Sequence, residues 1–177
     1  SRILPVRSFI VATEPLSDEQ LETVNPHNLA VCDPNFLLEY FRLSADKRLL
    51  FGNRFHYFGE DRDVIAANHR PKMERTYPQL KGIGIEYGWG GMIAVTINRV
   101  AQLGRIAPNV LYSNAYSGHG VNVTHLAGEI IADAISGTLE RFDVMSSIPA
   151  RPIPGVNTLG DTIVSLGVLW YGMKDRL

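Results

Sequence analysis

Three observations predict an α+β fold with a mostly antiparallel sheet. β-prone runs come in groups: residues 6–13, then "NLAVCD", "FLLEYFRLS" and "KRLLFGN". Two of these runs are joined by a short polar turn at residues 44–47, which is hairpin logic. Helical patterns stand far apart, without the regular strand–helix alternation of a parallel sheet.

The elements follow in order. "VRSFIVAT" is rich in β-branched residues and predicts a strand. Ser17 with Gln20 three residues later forms a capping box, so a short helix starts there. Cys32 is expected as a small, buried strand residue. The polar stretch 60–79 is expected to be helical and interrupted or restarted at Pro71. "GIGIEYGWGGMIAVTINR" is a long glycine-punctuated β-segment, and "NVLYSNAYS" is another strand. A helix runs from about Val121, with Leu126, Ile130, Ala134 and Ile135 on one face and Gly137 as its C-terminal stop. After the Pro-rich loop "RPIPGVNT", Ile163, Leu166, Trp170 and Met173 follow helical spacing behind an Asp161 cap.

Composition sets limits. The 177 residues are 45% hydrophobic and 20% charged with net charge -1, an ordinary soluble profile with no basic excess for nucleic acid. The single cysteine excludes an internal disulfide and fits a reducing, cytoplasmic setting. The most apolar run is short of the roughly 20 residues a membrane-spanning helix needs, and the first residues lack signal-peptide character. His27, His56, His69, His119 and His125 show no zinc-ligand spacing, so no metal is expected.

The stretch "NAYSGHGVNVTHLAGEIIADAISG" reads as strand, glycine turn and helix. A helix N-terminus offers free N–H groups and a positive dipole end to an anion. The dinucleotide pattern G-x-G-x-x-G fails here because Val123 stands at the third glycine. It fails in "GIGIEYG" too, where Tyr87 does. A tight connection that binds nothing remains open on spacing alone.

"NVLYSNAYSGHGV" followed by "AGEIIAD" resembles the C-terminal flavin segment of the D-amino-acid-oxidase-like FAD oxidoreductases. "YFRL" before "RLLFG", "YPQL" ahead of "WGG", Thr96, "LGR" and "WYGMKD" agree, and together they are most similar to the gamma-glutamylputrescine oxidase branch. The resemblance implies residues 1–107 as part of a substrate-binding domain, 108–138 as the returning strand, turn and helix of a Rossmann-type FAD domain, and 139–177 as a loop and C-terminal helix. Nothing matches the ADP-binding fingerprint, so the chain reads as a C-terminal portion whose FAD-binding half is supplied elsewhere. Alone it is expected to hold no FAD, to be inactive and to self-associate through exposed apolar surface.

The resemblance further implies oxidation of a small amine to an imine, then an aldehyde, by hydride transfer to flavin N5. Ser117, Gly118, His119, Gly120 and Val121 would meet the pyrimidine end of the flavin, and Trp89, Gly90 and Gly91 would lie near its ring. Tyr40, Arg42 and Tyr57 would line the substrate cavity; no catalytic residue is assigned. Relatives acting on α-amino acids often carry an arginine just after Trp-x-Gly, whereas Met92 and Ile93 stand here, which argues for an amine without an α-carboxylate. A second departure is Ala101-Gln102, where relatives often have proline. The rivals are a non-catalytic binding or assembly module, and a hydrolase built on Ser117 and His119.

Overall fold

A computed structural model describes residues 2–54 and 61–175. The elements in chain order are β1 (Leu4–Thr13), α1 (Asp18–Val24), β2 (Val31–Cys32), β3 (Glu39–Leu43), β4 (Leu49–Arg54), α2 (Arg62–Thr76), a 3-10 turn (Pro78–Leu80) and β5 (Ile85–Val95). Then come β6 (Gln102–Ala107), β7 (Val110–Asn114), α3 (Gly120–Ile135), α4 (Glu140–Ser147) and α5 (Val156–Lys174). Helices and antiparallel strand pairs are thus mixed, as the α+β expectation required. No helix among the described residues is long and apolar enough to cross a membrane.

The chain forms two compact units, Arg7–Gly91 with Leu166–Leu177, and Ser1–Val6 with Met92–Ser165. In the first, the strand order is β2-β3-β4-β1-β5, with β1 antiparallel to β4 and β4 antiparallel to β3. Side chains alternate along each strand, so Phe9 and Val11 share a face with Leu49 and Phe51. All four are buried, and Ile65 and Met73 of α2 join them in one core. Burying each large apolar side chain contributes about 1.5–3 kcal/mol.

Local chemistry explains the ends of these elements. The Ser17 hydroxyl accepts the Gln20 N–H, and the Gln20 side chain accepts the Ser17 N–H, a complete capping box. The hairpin turn closes with Ser44 N–H on Arg48 O and Lys47 N–H on Ser44 O. Asp61 caps α2 by accepting from the Asp63 and Val64 N–H groups. Asp175 accepts the Phe36 and Leu37 N–H groups at 3.0 Å each, while Tyr171 stacks on Phe36.

In the second unit β6 and β7 form an antiparallel pair. Leu103, Ala127, Ile130, Ala134 and Phe142 share its core, which α3 and α4 help to build. Gly137 follows α3 with φ 97, its N–H on Ala134 O and the Thr138 N–H on Asp133 O. That is a Schellman stop, for which glycine is the cheapest residue.

Four expectations are corrected. α2 continues through Pro71, which sits on its exposed side while Ile65, His69 and Met73 hold the buried side on both sides of it. Cys32 is exposed, because β2 is a two-residue strand at the sheet edge. α3 buries Ala127, Ile130 and Ala134, whereas Leu126 and Ile135 are exposed. α5 starts at Val156, so Asp161 falls inside it. Its stripe of Leu166, Trp170 and Met173 has helical spacing but is exposed. β6 and α4 carried no strong sequence pattern and were not expected.

Candidate functional site

The backbone between β7 and α3 bends through three left-handed residues, Ala115 (φ 58), Ser117 (φ 54) and Gly118 (φ 94). Glycine adopts this shape freely, whereas an L-residue with a side chain loses about 1–2 kcal/mol there. Ser117 is nevertheless held in place. Its N–H donates to Ala94 O at 3.0 Å, beside the end of β5. Its hydroxyl accepts the Thr96 N–H at 3.2 Å and lies 3.3 Å from Ala115 O and 3.4 Å from Thr96 Oγ1. Thr96 Oγ1 in turn donates to Val100 O at 3.0 Å. Both side chains are buried, Ser117 at 1% exposure and Thr96 at 3%.

The turn delivers the chain to α3 with an open N-terminus. His119 is the N-cap residue and makes no side-chain capping bond. The first intrahelical bond recorded is Val123 N–H to His119 O, so the N–H groups of Gly120, Val121 and Asn122 precede it. Added to the dipole, such groups favour an anion by about 0.3–1 kcal/mol, and up to roughly 2 when partly buried. Space is available as well. A Cβ at Gly118 would meet only Ile93 Cδ1 at 3.9 Å, and one at Gly120 only Tyr116 Cβ at 3.8 Å. His119 and Val121 are exposed, Val121 at 91%. The turn thus leaves accessible backbone beside the start of a helix.

The Ser117 hydroxyl is engaged by Thr96 and Ala115, so the hydrolytic pair with His119 is not formed. Among the described residues no group of three metal-binding side chains is found.

The sheet of the first unit has a second face, away from α2. Side chains placed at Gly88 or Gly90 would meet Ile65 or the Phe9 ring, both in the core. Alternation therefore puts Tyr87, Trp89 and Gly91 on the opposite face. Tyr40 is there too: its hydroxyl pairs with Ser8 Oγ at 3.0 Å, and its ring covers Gly52. Arg42, two residues on, is exposed and donates from Nε to Leu43 O at 3.2 Å. Trp89 is 45% exposed, and a Cβ at Gly91 would meet nothing within 4 Å. The space at Gly90 is taken by Phe9, so open backbone on this segment is found at Gly91. Tyr57 lies outside the described residues. Ser8 and Gly52 escaped sequence reasoning; the only signal was a glycine inside the strand-like run "RLLFGN".

The family described as "DAO: FAD dependent oxidoreductase" matches residues 1–134. Over 176 residues the chain is 42% identical to the gamma-glutamylputrescine oxidoreductase of Escherichia coli, covering 99% of this chain and 41% of that protein. It is also 42% identical over 175 residues to a probable oxidoreductase OrdL of Haemophilus influenzae, covering 99% of this chain and 40% of that one. The chain thus spans about two-fifths of the length of the curated relatives it matches. Its fold is similar to the crystal structure of L-proline dehydrogenase from P. horikoshii, with a TM-score of 0.62 and 21% identity over 84% of this chain and 38% of that one.

Proposed function

The chain belongs to the FAD-dependent oxidoreductase family, and from that premise we propose that it is part of an enzyme that oxidises an amine lacking an α-carboxylate. The single observation that carries the cofactor's place is the open start of α3 behind the left-handed turn. When bound, FAD supplies the acceptor for the hydride leaving the amine's α-carbon. The backbone at Gly118, His119, Gly120 and Val121 would hold the pyrimidine edge of its ring, where charge gathers on reduction. The His119 ring would add a hydrogen bond, and Ser117 would set the turn.

The open sheet face would serve the amine. Tyr40 would form its wall, with Arg42 at the rim, while Trp89, Gly90 and Gly91 would lie near the flavin ring, the glycines as thin backbone beside the indole. Met92 and Ile93 are apolar, so the segment after Trp89 offers no guanidinium for a carboxylate on the reacting carbon. The name of the E. coli relative supplies a specific substrate to try, gamma-glutamylputrescine.

In this reading residues 1–107 belong to a substrate domain, 108–138 return to a Rossmann-type FAD domain, and 139–177 close the chain. No ADP-binding fingerprint is found in these 177 residues, so they alone hold no FAD and turn nothing over. The exposed Leu166, Leu169, Trp170 and Met173 support association with further protein. A lone cysteine supports a cytoplasmic location.

The test is anaerobic flavin bleaching in the protein expressed from its gene. Gamma-glutamylputrescine or a related amine should bleach the visible flavin bands, and simple α-amino acids should not. Bleaching by α-amino acids alone would overturn the substrate class; no FAD uptake even with the FAD-binding half present would overturn the whole reading.

A further inference from the structure

We infer that Thr96 and Ser117 are positioning residues, whose hydroxyls lock the left-handed turn and thereby aim the first N–H groups of α3. The inference rests on the flavin reading of that turn and names what holds it in shape. Glycines alone do not explain the bend, because two of its three left-handed residues, Ala115 and Ser117, carry side chains. Something must hold them in a conformation they disfavour.

The Thr96–Ser117 pair does so by tying three backbone segments together. Ser117 N–H reaches Ala94 O, Thr96 N–H reaches Ser117 Oγ, and Thr96 Oγ1 reaches Val100 O. With the Thr96 proton committed to Val100, the Ser117 proton is left for Ala115 O at 3.3 Å or Thr96 Oγ1 at 3.4 Å. Each hydroxyl proton has an acceptor, and both groups are shielded from water, where such bonds hold most firmly. The Thr96 carbonyl also accepts the Arg99 N–H at 3.1 Å, so the tight turn after β5 is part of the same tie. Both hydroxyls are buried and spent on these hydrogen bonds. Their effect on anything bound at Gly118 and Gly120 passes through the backbone.

The experiment compares Ser117→Ala, Ser117→Gly, Thr96→Val and Thr96→Ser in the protein as expressed from its gene. Hydrogen exchange is followed across residues 113–124, with the global unfolding midpoint measured in parallel. Exchange at residue 117, His119 and Val123 should speed up roughly tenfold in both Ser117 variants, matching the loss of a buried hydrogen bond. Thr96→Val should follow, and Thr96→Ser should stay near wild type. Ser117→Gly tells the two causes apart, since glycine accepts the left-handed φ. Wild-type protection in that variant would mean that backbone shape alone suffices, and the inference fails.

In the FAD-loaded protein, Thr96→Val should also shift the flavin midpoint potential or speed flavin release, with rescue in Thr96→Ser. Faster exchange with an unchanged flavin potential and release rate would leave the pair a structural brace and overturn the positioning role. If Ser117→Ala fails to fold, the two Thr96 variants carry the comparison. A wild-type protein that binds no FAD even with its FAD-binding half present would sink the flavin reading and with it the positioning role. The exchange series would then still decide whether the hydroxyls hold the turn.

Discussion

His69 lies in the core with Nδ1 2.8 Å from Ile65 O and Nε2 3.3 Å from Phe9 O. Burial lowers its proton affinity below that of an ordinary histidine, with Lys72 acting in the same direction. The two carbonyls and Glu39 oppose this but do not reverse it. The unfolded chain therefore takes up a proton here at a higher pH than the folded one. The contribution of the neutral ring is fully present above the ordinary value of about 6.5 and falls as pH drops below it. The urea midpoint should decline between pH 7.5 and 5.5, a window chosen to stay above most carboxylate titration. His69→Gln should flatten that decline, and an unchanged slope in the variant would refute the assignment. From sequence His69 was only a histidine outside any zinc pattern. Its burial became visible once β1 was placed under α2, a contact across 60 residues.

At the scale of the element, two strand pairs share a device. Tyr40 stands opposite Gly52 in the β3–β4 register, and Tyr112 opposite Gly104 in the β6–β7 register. In each pair the tyrosine ring covers the glycine, leaving no room for a Cβ. Strand glycine is ordinarily weakening, and an aromatic neighbour across the strand offsets the loss. Gly52→Ala should push the Tyr40 ring off its partner, break its bond to Ser8 and cost about 1–3 kcal/mol. In a Tyr40→Leu background the same substitution should cost measurably less; equal costs in a double-mutant cycle of thermal midpoints would disprove the coupling. Alternation along β3 was legible, since Tyr40 and Arg42 share a face by spacing alone. The ring-on-glycine pairing was not, because it depends on register between strands. β6 was missed for a related reason: Gly104 and Arg105 break its β-prone pattern, and pairing with β7 supplies what its own residues lack. In α3 the period was right and Ile130 and Ala134 are buried as the pattern suggested, but the edges of the face were misplaced. The helix presents small Ala127 and Ala134 inwards and leaves the larger Leu126 and Ile135 outside.

At the scale of the whole molecule, neither compact unit is continuous in sequence. The hairpin, the capping box and the glycine turn are local, and they were read correctly. The division into units rests on contacts between distant residues, which no window of sequence displays. Asp175 is an instance, joining the Phe36 and Leu37 N–H groups across more than a hundred residues. Asp175→Ala should remove two charge-assisted bonds at about 1.5–3 kcal/mol each at most. The loss should be local: amide exchange at residues 36 and 37 should rise while β3 and β4 keep their protection. A uniform rise across the sheet would show instead that the helix end supports the entire unit. The same arrangement bears on biosynthesis. A ribosome emits residues in order, at about 5–20 per second. The partner for Phe36 and Leu37 therefore emerges on the order of ten seconds after Gly91, once the intervening Met92–Ser165 stretch has been made. During that delay the loop before β3 waits without Asp175, and a chaperone or protease that meets the nascent chain meets it in that form.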